Sequence, residues 1–426
     1  SGFRATGWHI GIKESARLTN KEDFAVLFAD RPAAAHAIFT LNRFPGHPIV
    51  IGRKHIQNGQ LQMIVVNSGN ANVANGPDGL ELASQVCQKA ALAMQIDAQL
   101  VLPSSTGVIG RPMPSLKILA ACDEIKARLA DTDAGRFQRA IMTTDRFAKY
   151  RCLDMGEFSL TGMAKGAGMI EPNMATMLCY MLTDADIDTA SLKRWLPLLA
   201  NFSFNRISVD SDTSTSDTFA LLASQQKTKI EIEDSHIEAL QSMSFENTEQ
   251  LLQLLYRHEK EAIIEAANFI QSQINCSKTS ALFMAASLHI AIDLCRKIVA
   301  DGEGATKTFR VMITGAKDKK QAAKIGRSIL NSPLVKTALF GADPNWGRIM
   351  MAVGKVFDED HPEPIISVGS HQMYPPGNAT LTDLEQTMKA EHIDFRIDLQ
   401  NGTGFEIFYG CDLTNDYVRL NSEYTT

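Results

Sequence analysis

Two apolar, strand-like stretches, "FSLTGMAK" (158–165) and "MLCYMLTDADI" (177–187), are separated by a passage rich in Gly and Pro. Read together, residues 164–180 are "AKGAGMIEPNMATMLCY". Gly166 and Gly168 permit close backbone approach, and Pro172 fixes a bend. The chain must leave one strand, cross a tight passage and re-enter a buried strand. Strand patterns recur at 23–29, 37–40, 61–66, 99–102, 206–224, 308–314, 336–340, 349–356, 365–369, 394–398 and 404–410. Helical spacing occupies 80–95, 114–130, 134–142, 190–202, 317–330, 381–391 and a long region from 246 to 300 with a bend at "INCSKTS". The two kinds mix without strict βαβ alternation, so the expected fold class is α+β, with helices flanking packed β-sheets.

Bulk properties exclude several classes. At 426 residues, with 45% hydrophobic and 21% charged residues, the chain can bury a large core. A formal net charge of -6 gives no reason to expect nucleic acid or an anionic membrane as partner. No apolar run reaches the roughly 18 residues that span a bilayer. The opening "SGFRATGWHIGIKES" lacks a signal peptide's charged start and apolar core, so a cytoplasmic location is expected. Seven Cys without a CxxC and ten dispersed His without HxxxH or HExxH argue for reduced thiols and against a metal site.

Five segments carry residues suited to chemistry. Thr176 follows the small Ala175. A Thr hydroxyl attacks only when a base takes its proton, and a chain-terminal Thr can use its own α-amine. An internal Thr gains that amine only if the preceding peptide bond is cut; otherwise Thr176 is an ordinary β-branched strand residue. In "PSSTGVIG" (103–110), Thr106 and Gly107 place a hydroxyl beside an unshielded backbone N–H, which suits an oxyanion or a plain turn. Glu303 lies between glycines in "DGEGATK", where it would meet a cation or solvent. "GADPNWGR" (341–348) is a strong turn signal, a structural corner or part of a site with Arg348. The end, "CDLTNDYVRLNSEYTT", keeps apolar residues at Leu413, Tyr417, Val418 and Leu420, so it is expected to pack, with Asn421 and Thr426 available to a site.

Together these segments resemble the ornithine acetyltransferases of arginine biosynthesis. "AKGAGMIEPNMATML" is similar to that family's self-cleavage segment. "VVNSGNAN", "SSTGVIG", "IMTTD", "SFNRISVDSDTSTSDT", "DGEGATK", "NSPLVKTA", "DPNWGR" and "YVRLNSEYT" follow in the family's order. The resemblance implies self-cleavage between Ala175 and Thr176, giving an alpha fragment, 1–175, and a beta fragment, 176–426. Thr176 would be the nucleophile, and Thr106 and Gly107 the oxyanion hole. Thr143, rather than Thr144, would bind substrate together with Lys165, Thr176, Glu303, Asn421 and Thr426. The implied substrates are N-acetylornithine and glutamate, with no metal or cofactor. The implied assembly is a homo-oligomer of the processed heterodimer.

Glu171 departs from the family's usual small residue, and "DSDTSTSD" (210–217) from the usual "DGDTSTND". "YPP" (374–376) and the C-terminal segment look most like a branch found in clavulanic acid clusters, which leaves the pathway open between arginine synthesis and specialised metabolism. The rival reading is a self-processing amidase or aminopeptidase whose acceptor is water.

Overall fold

The computed structural model describes residues 2–13, 21–171, 177–357 and 362–423. Ala175, Thr176 and Thr426 lie outside the described residues. The fold is α+β: two mixed sheets with helices between and around them.

The first sheet runs in the order Val101–Val108, Gln60–Asn70, Phe24–Phe39, Thr218–Ala223, Leu178–Thr183, Ser159–Lys165, Lys149–Asp154, with Phe3–Trp8 pairing the long third strand. Two of its central strands, Leu178–Thr183 and Thr218–Ala223, show no exposed position. Such strands read as continuous apolar runs because both faces are covered. Val26 and Val65 share a core with helices Gly76–Met94 and Ser115–Arg128. Leu27 and Ile64 share another with helix Ala134–Ile141. The second sheet runs His371–Tyr374, Ile365–Val368, His392–Asp398, Thr308–Ala316, Gly404–Cys411, Ile207–Ser208.

Helix Lys278–Ala300 joins the layers. Seventeen of its 23 residues are buried, so it is apolar on nearly every side rather than amphipathic. It packs on strands Lys149–Asp154 and Ser159–Lys165 of the first sheet and on Gly404–Cys411 of the second. Its C-terminal end leads into the 301–307 turn.

Several expectations are corrected. Residues 336–340 and 349–356 are not strands but parts of helices Pro333–Phe340 and Trp346–Gly354. Short apolar runs do not distinguish the two states by periodicity. Pro333 at the first turn and the Ser332 cap on the Val335 N–H start the first helix. Ile349, Ala352 and Val353 form one buried face of the second. The separate strands 23–29 and 37–40 are a single strand, Phe24–Phe39, whose exposed middle, Asp30 to Pro32, hid its continuity. The C-terminal segment forms helix Asn415–Glu423 with no fully buried residue: Val418 is 63% exposed, while Leu413 and Tyr417 are half-buried and Tyr417 abuts Gly304.

Candidate active site

Strands Gln60–Asn70 and Val101–Val108 run parallel until their register shifts at Gly69 and Asn70, opposite Gly107. Gly107 has φ +127°, and a Cβ there would lie 2.4 Å from the Gly69 carbonyl carbon, so only glycine fits. The amides of "NSGNAN" lash this strand end. Asn67 accepts from Ser105 Oγ at 2.5 Å and donates to the Asn70 carbonyl at 2.8 Å. Asn70 Nδ2 donates to the carbonyls of Arg111 and Pro112. Thr106 and Gly107 are thereby presented at the mouth of a cavity of about 290 Å³.

Four other segments reach the same cavity. Thr143 and Thr144 come from the loop after helix Ala134–Ile141, and Lys165 ends its strand. Glu303 comes from the turn after the buried helix, and Asn421 from the C-terminal helix. Lys165 Nζ lies 3.4 Å from Thr143 Oγ1, which favours Thr143 over Thr144 as its companion. Asn421 Nδ2 donates to Glu303 Oε2 at 2.8 Å. Met177, next in the chain after Thr176, lines the cavity too. Six sequence-predicted residues thus converge: Thr106, Gly107, Thr143, Lys165, Glu303 and Asn421. Arg348 does not join them; it donates to the Leu334 carbonyl at 2.7 Å and to Thr337 Oγ1, a structural corner.

Electrostatics set the loops. Asp145 Oδ1 accepts from Lys149 Nζ at 2.6 Å and from the Gly166 N–H at 2.7 Å, while Oδ2 accepts from the Thr143 N–H at 3.0 Å. Asp301 Oδ2 accepts from Lys149 Nζ at 2.5 Å, and Arg146 Nε donates to Asp301 Oδ1 at 2.9 Å. The side chains of Asp145, Lys149 and Asp301 are fully buried. Burial opposes the charge on Asp145, but Lys149, Lys165 and the Gly166 N–H outweigh it and hold its pKa down at about 2. Burial pushes the half-buried Lys165 below the usual ammonium range, against the attraction of Asp145, Asp217 and Glu303.

The family model of ArgJ matches residues 4–426. The chain belongs to the ArgJ family. It is 36% identical to the arginine biosynthesis bifunctional protein ArgJ 2 of Clostridium acetobutylicum, over 100% of this chain and 97% of that relative. It is also 36% identical to the glutamate N-acetyltransferase Oat2 of Streptomyces clavuligerus, over 100% and 98%. The solved ornithine acetyltransferase of Mycobacterium tuberculosis, complexed with ornithine, is 32% identical; 41% of this chain and 93% of that one are covered, with a TM-score of 0.37. Membership of the family bears out the resemblance read from the ordered motifs.

Within this ArgJ chain, several site-building residues escaped sequence reasoning. Asp145 and Asp301 lie inside "IMTTD" and "DGEGATK", but their joint hold on Lys149 needs the fold. Asp210 accepts the Met169 and Ile170 N–H groups at 2.6 and 2.7 Å, so the hydroxyl-rich turn anchors the strand exit. Asp412 accepts from the Thr306 and Lys307 N–H groups and fixes the Glu303 turn from behind. Asp217 lines the cavity, is 2% exposed, and its Oδ2 has no hydrogen-bond partner among the described residues. Burial pushes its pKa well above the carboxylate range, with Ser214, Lys165 and Thr40 pulling the other way. A buried acid facing a cavity is a functional signal. Its only trace in the sequence is the final Asp of "STSD". No group of three or more His, Cys, Asp or Glu among the described residues is arranged to hold a metal, and no described helix is long and apolar enough to cross a membrane.

Proposed function

We propose that this ArgJ-family chain cleaves itself between Ala175 and Thr176 and then transfers acetyl from N-acetylornithine to glutamate. The observation that supports it most is the convergence of Thr106, Gly107, Thr143, Lys165, Glu303 and Asn421 on one cavity that Met177 also lines. The curated relatives bear names of arginine biosynthesis and glutamate N-acetyltransfer. The pathway is arginine biosynthesis or a related specialised route.

In the reaction, Thr176 Oγ attacks the acetyl carbonyl of N-acetylornithine, and the α-amine of Thr176 takes the hydroxyl proton. Negative charge develops on the carbonyl oxygen and meets Thr106 and the Gly107 N–H. The C–N bond breaks, the amine leaves with the transferred proton, and ornithine departs from acetyl-Thr176. The amine of glutamate then attacks the ester, Thr176 regains its proton, and N-acetylglutamate leaves. Lys165 suits a substrate carboxylate, and Glu303, held by Asn421, suits an ammonium. The acetyl group passes between amino acids through Thr176, so the scheme uses the chain's own residues alone.

The test is ornithine release from N-acetylornithine with and without glutamate. Release that depends on glutamate, with N-acetylglutamate formed in equal amount, is expected. Equal release without glutamate would identify a hydrolase and overturn the transferase reading. Intact mass adds a second check: two fragments are expected in the wild type, and a single chain of 46.7 kDa in Thr176→Ala.

A further inference from the structure

A second cavity, about 470 Å³, lies where the two sheets meet around the C-terminal half of the buried helix. Strand Lys149–Asp154 contributes Arg151, the helix contributes Asp293, Arg296 and Lys297, and the second sheet contributes Phe309 at the start of its strand Thr308–Ala316. No residue lines both this cavity and the one holding Lys165 and Glu303.

Its charge is unbalanced. Arg151, Arg296 and Lys297 face it with Asp293 as the carboxylate among the lining residues. Asp293 is already engaged by Lys297 at 2.7 Å, and Lys297 also donates to the Tyr150 carbonyl at 2.9 Å. Arg296 makes no hydrogen bond or ion pair with a described residue; its guanidinium lies 5.0 Å above the Tyr256 ring. Arg151 spends Nη2 on the His258 carbonyl at 3.0 Å, while its buried Nε has no partner among the described residues. A buried guanidinium N–H without an acceptor is costly, and a carboxylate or phosphate matches its fork of donors. The rest of the wall mixes polar His258, Thr308, His392 and Tyr409 with an apolar part. Phe147, 41% exposed, faces the cavity with Val299 and Phe309.

We propose that this cavity is a second ligand site, separate from the acetyl-transfer site, for a small organic anion. A carboxylate or phosphate headgroup sits between Arg296 and Arg151, and an apolar body lies along Phe147 and Phe309. Glu303, three residues after Ala300, and Thr143, four before Phe147, belong to the same two loops but face the other cavity.

The test is calorimetric titration of the purified full-length protein with benzoate and, separately, with phenyl phosphate. Saturable binding of at least one probe is expected, and the tighter of the two names the headgroup. Arg296→Gln should weaken it at least tenfold, whereas Lys165→Ala, in the other cavity, should leave it within twofold. Ala300→Trp, which fills the cavity by volume, should abolish it and serves if the Arg296 variant does not fold. Inorganic phosphate should bind more weakly than phenyl phosphate, since it lacks the apolar body. Absence of saturable binding by both probes, wild-type affinity in Arg296→Gln or in Ala300→Trp, or loss of binding in Lys165→Ala would overturn the proposal.

Discussion

Glu171 Oε1 accepts a hydrogen bond of 2.7 Å from Asn331 Nδ2, across 160 residues of chain. Arg327 Nη1 adds a contact of 3.3 Å to the same oxygen, and Asn331 Oδ1 in turn accepts from Ser208 Oγ. Glu171, five residues before Thr176 in the chain, is thus tied to the end of helix Lys319–Leu330. Glu171→Ala leaves Asn331 Nδ2 and the guanidinium without this acceptor. A loss of about 1–3 kcal/mol in denaturant unfolding is expected. Self-cleavage, followed as fragment appearance on timed gels, should slow as well. Wild-type values for both would show that the tie does nothing.

Asp145 ties its own loop to strand Lys149–Asp154 and to the Gly166 backbone through one carboxylate. Removing one partner of a buried ion pair typically costs about 3–5 kcal/mol, so Asp145→Asn should destabilise by that order. The sign of the pH dependence follows from its pKa of about 2, below the ordinary 3.8. Its stabilisation is present above pH 3.8 and is lost as pH falls toward 2. Equilibrium unfolding between pH 5 and 2 should therefore be steeper in the wild type than in Asp145→Asn. Parallel curves would contradict this.

In the proposed reaction, Thr106→Ala removes one donor to the developing oxyanion. A kcat lower by about 10²–10³-fold is expected, with little change in KM. Gly107→Ala should fail more broadly, because its Cβ would meet the Gly69 and Asn70 backbone within 2.7 Å. Reduced thermal stability and lost turnover together would confirm that reading. Full activity in Gly107→Ala would refute the geometry.

Asp217 is held at a stability cost. Its pKa is raised, so the folded state retains its proton to higher pH than the unfolded state does. Stability from this group is therefore full below pH 3.8 and declines as pH rises above it. Asp217→Asn removes that decline. Higher thermal stability near neutral pH and slower acetyl transfer are expected, the exchange seen where function keeps a strained group. Lower stability at neutral pH in the variant would refute the titration account.

What sequence alone determined was the family, and it named six residues that line one cavity. Several of the residues that line this cavity sit in short contiguous motifs legible without coordinates: "STG" at 105–107, "MTTD" at 142–145 and "DGEG" at 301–304. Long, strongly periodic helices and the buried strands were legible for the same local reason. Tertiary structure decided what local pattern cannot hold. Helices 333–340 and 346–354 look like strands because short apolar runs satisfy either period. The C-terminal helix carries apolar residues yet buries none fully, meeting the 303–304 turn along one side through Tyr417 and Asn421. Glu171, Asp145 and Asp301 acquire their meaning from partners more than 20 residues away. A carboxylate's role depends on which donors surround it and how much water they exclude, and folding alone brings those donors together.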